Sequence, residues 1–183
     1  MRKSILVKSR KAKRNLTNSK SQLQDFLDGW FERGLFSAQT IPARKNGGEM
    51  KGIWQKIYNL LAQQIIDDYQ IKEGRCIDVG CGDGKLGLEL AKKTALHVYL
   101  VDINKDVLTK AHNNCFKAGL SSQITFVRAN VEQLPFLDNY FVLVVSRGSI
   151  FFWNDKPRGL KEIYRILKKG GVAFIGGGTT RYM

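Results

Sequence analysis

The stretch Ile77-Asp78-Val79-Gly80-Cys81-Gly82-Asp83-Gly84, followed by Asp102 eighteen residues after Gly84, carries the side chains and spacing best suited to chemistry in this sequence. An apolar lead into a run of glycines lets the backbone turn sharply and approach a ligand with no side chain in the way. A carboxylate about 20 residues farther on falls where the next strand should end, placed to accept hydrogen bonds from ribose hydroxyls. Together these residues suit a nucleoside-containing cofactor. The bland reading of Asp102 is a solvated helix cap.

Glycine spacing alone does not choose the cofactor. Gly82, Gly84 and Gly87 satisfy the dinucleotide pattern, which is weak evidence by itself. The charges decide. A pyrophosphate carries about two negative charges, and Asp78 in the strand with Asp83 in the loop would oppose it through poorly screened space. S-adenosylmethionine, with an ammonium and a sulfonium against one carboxylate, suits an acidic strand end.

Three elements of organisation must position this loop. Residues 1–20 form a basic arm with eight Lys/Arg and no acid; it reads as solvated and disordered, with charge-driven contact to nucleic acid or anionic lipid as the alternative. It lacks interleaved aromatics for base stacking. Residues 21–70 carry two amphipathic helices that read as a lid. The first spans Ser21 to about Gly34, a mobile connection runs from Phe36 to Gly52, and the second places Ile53, Ile57, Leu60, Leu61, Gln64, Ile65 and Tyr69 largely on one face. Residues 71–183 form the core. From Arg75 strand and helix alternate, as in a parallel sheet with crossover helices. Strands are expected near 75–79, 98–102, 124–128, 140–146 and 172–175, and helices near 85–93 and 105–118. A last helix takes Asp155 as cap and Pro157 in its first turn, with Gly170 just beyond its end.

Composition sets bounds. The 183 residues suit one domain with a sizeable core, and 43% hydrophobic with 10% aromatic residues excludes a disordered chain. No apolar run approaches the roughly 20 residues of a membrane span, and Ile5-Leu6-Val7 is too short for a signal-peptide core. A cytoplasmic protein is expected. Cys76, Cys81 and Cys115 have no metal-ligand spacing, so reduced thiols and no metal are expected. Of the net charge of +14, residues 1–60 hold 13 Lys/Arg against 4 Asp/Glu.

Four ordered motifs carry a family resemblance: the Asp78–Gly84 loop; Leu100-Val101-Asp102-Ile103; Phe126 through Asn130-Val131-Glu132-Gln133-Leu134-Pro135-Phe136; and Glu162 through Lys168-Lys169-Gly170-Gly171. With them, the chain from about Lys51 to Gly178 resembles the class I S-adenosylmethionine-dependent methyltransferases of the small-molecule group, which act on quinones, sterols and many other acceptors. The resemblance implies an α/β fold: a Rossmann-like parallel sheet in three α/β/α layers, strand order 3-2-1-4-5, with the ligand across the carboxyl ends of strands 1 and 4. The two strands that normally follow are missing, which would leave strand 5 as an apolar edge for a second copy, another chain or the N-terminal helices to cover.

The resemblance also implies roles. Asp78 orients the methionine ammonium, Gly80, Cys81, Gly82 and Gly84 bring backbone close, Asp102 binds the ribose hydroxyls and Ile103 packs on adenine. Asn130 stands where the family usually has Asp, and its amide oxygen can still receive the adenine amino group. Val131 offers its backbone N–H, and Ser146, ending strand 4, completes the cofactor set. Acceptor candidates are Tyr58, Arg147, Phe151 and Trp153, with Phe152 beside them; core packing is the competing reading for these aromatics. Val142 also departs from the usual Asp, at the end of the strand remote from the cofactor. The Asn/Asp-Pro-Pro-Tyr/Phe tetrad of amino-methylating enzymes is absent, which argues against adenine or glutamine methylation. No general base is assigned, since His97 and His112 read as ordinary structural histidines. The expectation is in-line methyl transfer to a small-molecule acceptor with S-adenosylhomocysteine as product. The alternatives are an RNA- or ribosome-associated methyltransferase guided by the basic arm and a non-catalytic cofactor-binding subunit.

Overall fold

The computed structural model describes residues 4–8, 15–16 and 49–177, with side-chain surroundings from residue 52 onward. The expected first helix, most of the connection after it and the tail beyond Gly177 lie outside the described residues. The elements in chain order are β1 (Ser4–Lys8), β2 (Asn15–Leu16), α1 (Glu49–Tyr69), β3 (Glu73–Val79), α2 (Lys85–Lys93), β4 (Ala95–Asp102), α3 (Lys105–Lys117), β5 (Ile124–Arg128), β6 (Phe141–Arg147), a 3-10 turn (Ser149–Phe152), α4 (Lys156–Ile166) and β7 (Leu167–Gly176).

The sheet runs β2-β1-β7-β6-β3-β4-β5. Within it the parallel order β5-β4-β3-β6-β7 is the expected 3-2-1-4-5 arrangement. Period-two alternation divides the core between the two faces. Cys76, Leu100, Leu143, Val145 and Phe174 meet α1, α2 and α3, while Ile77, Val79, Val101, Val144 and Ile175 meet α4. This gives the three layers.

Two expectations need correcting. The first is the bare edge of the fifth core strand. β1 pairs with β7 in parallel from Ser4↔Val172 to Lys8↔Gly176, and β2 returns antiparallel to β1. For Ser4–Lys8 and Asn15–Leu16, then, the arm is part of the sheet. Ile5-Leu6-Val7 is a run suited to a strand, and the unpaired N–H and C=O groups of β7 give it a partner.

The second concerns the end of α4. The helix stops at Ile166, four residues short of Gly170, because Leu167 turns extended and pairs with Phe141. The ladder resumes at Val172↔Leu143, so Lys168–Gly171 bulge out. Gly170 has φ 81°, and a Cβ on Gly171 would lie 2.9 Å from the Val142 carbonyl oxygen.

The remaining caps are as the sequence indicates. Asp155 accepts from the Arg158 N–H at 2.9 Å. At the end of α3 Gly119 has φ 68°, and its N–H bonds the Phe116 carbonyl while that of Leu120 bonds the Cys115 carbonyl, a Schellman closure.

Candidate functional site

The glycine loop leaves β3 at its carboxyl end and turns into α2. Gly80, Gly82 and Gly84 have φ 65°, 56° and 83°. Gly84 also packs where a Cβ would meet Leu100 Cδ1 at 3.0 Å and Ala111 Cβ at 3.2 Å. At Gly82, by contrast, a Cβ would meet nothing within 4 Å, so the loop opens there.

The loop uses its amides on the protein itself. The N–H groups of Gly80 and Cys81 both donate to the Val101 carbonyl, at 2.8 and 3.0 Å, and that of Gly84 donates to the Cys81 carbonyl at 3.0 Å. Gly82 donates to Asp102 Oδ2 at 3.0 Å. A phosphate cradle works by aiming such amides at the anion. Here they are taken, and carboxylates stand beside the opening.

Asp78 is buried on the α2 side of β3, and its Oδ2 accepts the Gly87 N–H at 3.0 Å. It thereby serves the first turn of α2, where Gly84 offers no side-chain cap. Burial pushes the Asp78 carboxyl up to about 7; the Gly87 N–H pulls the other way, and Asp102 and Asp83 add to the rise. Asp83 pairs with Lys85. Asp102 closes β4 and takes the Asn104 N–H on Oδ1 at 3.0 Å, while Asn104 caps α3 through Asp106 N–H. Each Asp102 oxygen thus holds one backbone donor and keeps acceptor capacity. Ile103 is 61% exposed next to it. Cys81 is buried, its thiol pushed up first by burial and then by Asp78.

Asn130 follows β5, and its Oδ1 accepts the Glu132 N–H at 2.9 Å, an Asx turn that fixes the loop locally. Val131 is buried. The segment after it is tied to α4: Glu162 accepts the Leu134 N–H, and Arg165 donates to the carbonyls of Leu134 and Phe136. The bond to Arg165 holds the Glu162 carboxyl below its usual range.

At the end of β6 the expected residues separate. Ser146 is fully buried, with its hydroxyl 2.6 Å from that of Ser149. Trp153 lies in the core against Gly159, where a Cβ would approach its ring to 2.9 Å; the packing reading holds for this residue. Phe151 is half-buried and Phe152 is 75% exposed. Arg147 reaches α1, donating to the Tyr58 hydroxyl at 3.1 Å, with its guanidinium 4.8 Å from the Tyr58 ring centroid and 5.1 Å from that of Trp54. Tyr58 packs on the cluster that contains Cys81 and Val145, so α1 is brought to the same end of the sheet. Trp54 and Ser149 were not singled out by sequence. Trp54 stands one helical turn before Tyr58, the spacing that would have signalled it. His97 of β4 bonds Thr125 of β5 at 2.8 Å, and His112 is exposed on α3 beside Phe126. Among the described residues no cluster of three or more His, Cys, Asp or Glu could hold a metal ion, and no helix is long and apolar enough to cross a membrane.

A parallel, doubly wound sheet with a glycine turn after its central strand and an acid ending the next defines a Rossmann-like nucleoside-cofactor domain. A family model described as "Methyltransferase domain" matches residues 77–175, more than half the chain. A crystal structure described as a candidate S-adenosyl-L-methionine-dependent methyltransferase from Methanococcus maripaludis aligns with TM-score 0.67 and 38% identity, over 76% of this chain and 68% of that one. The chain belongs to the methyltransferase-domain family of class I S-adenosylmethionine-dependent enzymes. A ubiquinone/menaquinone biosynthesis C-methyltransferase of Stenotrophomonas maltophilia is 35% identical over 125 residues, 67% of this chain and 47% of that protein. The mitochondrial arginine-hydroxylase NDUFAF5 of Mus musculus is 39% identical over 162 residues, 83% of this chain and 43% of that protein. The chain therefore spans about half the length of the curated relatives it matches.

Proposed function

We propose that this chain transfers a methyl group from S-adenosylmethionine to a small-molecule acceptor. One observation supports the cofactor above all: the amides of Gly80, Cys81, Gly82 and Gly84 are taken up within the protein while Asp78, Asp83 and Asp102 surround the loop. Such a pocket repels a pyrophosphate and attracts a cation. When bound, the cofactor supplies an electrophilic methyl on a sulfonium.

The chain's own residues bind and orient. Asp78 holds the ammonium, and the turn at Gly80, Cys81, Gly82 and Gly84 admits the methionine backbone. Asp102 accepts from the ribose hydroxyls with the lone pairs its two backbone donors leave. The exposed Ile103 packs on adenine, and Asn130 with Val131 frames the far edge of the ring. Ser146 acts from beneath, through Ser149. On the acceptor side Arg147, Tyr58 and Phe151 line the approach, with Trp153 as their support. Residues 71–183 form the cofactor-binding core and the helices within 21–70 the cap, α1 being its described part. A cytoplasmic setting fits the three buried, free cysteines. β1 occupies the pairing position on β7, so the small-molecule acceptor is the only partner this reading requires.

Calorimetry with S-adenosylmethionine and S-adenosylhomocysteine tests the site, and methyl transfer from radiolabelled donor across thiols, phenols, amines and RNA tests the reaction. Binding with transfer to a small acceptor is expected. No binding by the wild type overturns the cofactor assignment. Binding without transfer to any acceptor overturns the enzymatic one, an outcome that matters because the domain is shared with a protein named as a hydroxylase and with the [4+2]-cyclase SpnF, 27% identical with TM-score 0.62.

A further inference from the structure

The hydroxyl of Ser149 is saturated. The Val79 carbonyl can only accept, so Ser149 donates to it, at 3.0 Å. Its two lone pairs then take the Ser146 hydroxyl at 2.6 Å and the Trp153 indole N–H at 3.1 Å. One donor and two acceptors are all that a serine hydroxyl has. It is therefore neither a nucleophile nor a base in waiting; it is a junction.

What it joins lies on both sides of the cofactor cleft. Val79 opens the glycine turn, and Gly80 comes so close that a Cβ there would sit 2.2 Å from Ser149 Cβ and 2.6 Å from its Oγ. Ser146 ends β6. The Trp153 ring packs over Gly159, where an added Cβ would also meet Val131 Cγ1 at 3.4 Å, so the ring reaches the segment assigned to adenine. The 3-10 turn that carries Ser149 also carries Phe151 and Phe152, and it is anchored to the sheet by the Gly148 N–H on the Gly176 carbonyl at 2.7 Å.

We infer that Ser149 is a positioning residue that locks the glycine turn to the acceptor-side segment through Trp153, so that cofactor binding is felt at the 3-10 turn. The inference rests on the cofactor site proposed above. Replacing Ser149 by Ala strands three polar groups, Val79 O, Ser146 Oγ and Trp153 Nε1, and frees the turn at Gly80 to relax. The loss of one such restraint on the bound loop raises the dissociation constant about tenfold.

The test uses the full chain labelled with nitrogen-15, with S-adenosylhomocysteine as probe, and the Trp153 indole N–H assigned by Trp153→Phe. In wild type, saturation with the probe shifts the Trp153 resonance. In Ser149→Ala, affinity per folded molecule falls about tenfold and the resonance no longer responds. A purely stabilising serine would lower the melting temperature and leave both readouts alone. That result, or an unresponsive Trp153 in saturated wild type, overturns the inference. If Ser149→Ala does not fold, Trp153→Phe carries the test: it keeps a six-membered aromatic ring and removes the indole N–H bond of the junction, and a several-fold loss of affinity supports the coupling whereas unchanged affinity overturns it. Failure of the wild type to bind at all overturns the cofactor site itself, and so is distinguishable from failure of the coupling.

Discussion

Asp78 makes the sharpest prediction because its burial sets the sign of a pH dependence. The side chain is 2% exposed and its carboxyl is raised from 3.8 to about 7. Below pH 3.8 folded and unfolded chains both hold the proton, and the site contributes no slope. Between that value and about 7 the folded state keeps a proton that the unfolded chain has released, so stability falls as pH rises. Above about 7 both are ionised and the curve flattens. Across the window from about pH 5.5 to about pH 8.5 the loss comes to roughly 2 kcal/mol, most of it below neutrality. Asp78→Asn keeps an oxygen for the Gly87 N–H and has no proton to lose. Urea unfolding at a series of pH values should therefore show wild-type stability declining relative to the variant by about 2 kcal/mol over that window. A bound ammonium reverses the preference by favouring the carboxylate. Calorimetry near neutral pH in buffers of different ionisation enthalpy should accordingly detect proton release on cofactor binding by wild type and none by the variant. Parallel unfolding curves for the two proteins would refute the burial argument.

Three further outcomes follow from the geometry. Gly80→Ala combines a positive φ with a collision against Ser149 and should cost about 3 kcal/mol or more, whereas Gly82→Ala, with open space around it, should cost only about 1–2 kcal/mol; equal losses in thermal melts would contradict the packing described. Asp102→Ala should weaken S-adenosylhomocysteine binding about 10- to 100-fold through lost charge-assisted bonds, and calorimetry showing unchanged affinity would remove Asp102 from the site. Deleting residues 1–8 bares the edge of β7, so light scattering should report self-association and hydrogen exchange should report faster β7 amides; a monomer with unchanged exchange would show that β1 does not protect the edge.

The core was legible because it obeys local rules. Asp155 with Pro157 marks the start of α4, Gly119 ends α3, and strand alternating with helix around the glycine turn marks a parallel sheet, whose order the family resemblance implies. What was hidden is non-local. Gly170 resembles a helix terminator, yet the pairing of Leu167 with Phe141 ended the helix four residues earlier, a tertiary contact overriding a local signal. The strand Ser4–Lys8 sits inside a stretch whose charge reads as solvated, and only the open edge of β7 reveals its use. Ser146 and Trp153 fall where ligand contacts are expected, and only their burial and their shared bonds to Ser149 reveal that they lie behind the surface.

The same contrast explains why the cofactor reads more clearly than the acceptor. The cofactor-side residues sit on consecutive strands and turns, at spacings set by strand length and the glycine turn, so chemistry and register are written together. The proposed acceptor side draws on α1 and the end of β6: Tyr58 and Arg147 meet across 89 residues of sequence. The guanidinium draws Trp54 and Tyr58 to the carboxyl end of the sheet, while Gln55 and Asn59 on the same helix donate to the buried Glu89 of α2, each at 2.8 Å. These two sets of contacts fix the rotation and tilt of α1. On the proposed reading, an acceptor pocket bounded by this helix would be shaped by side chains on α1 that the cofactor motifs do not constrain, so that one loop could serve many acceptors while the cap selects among them.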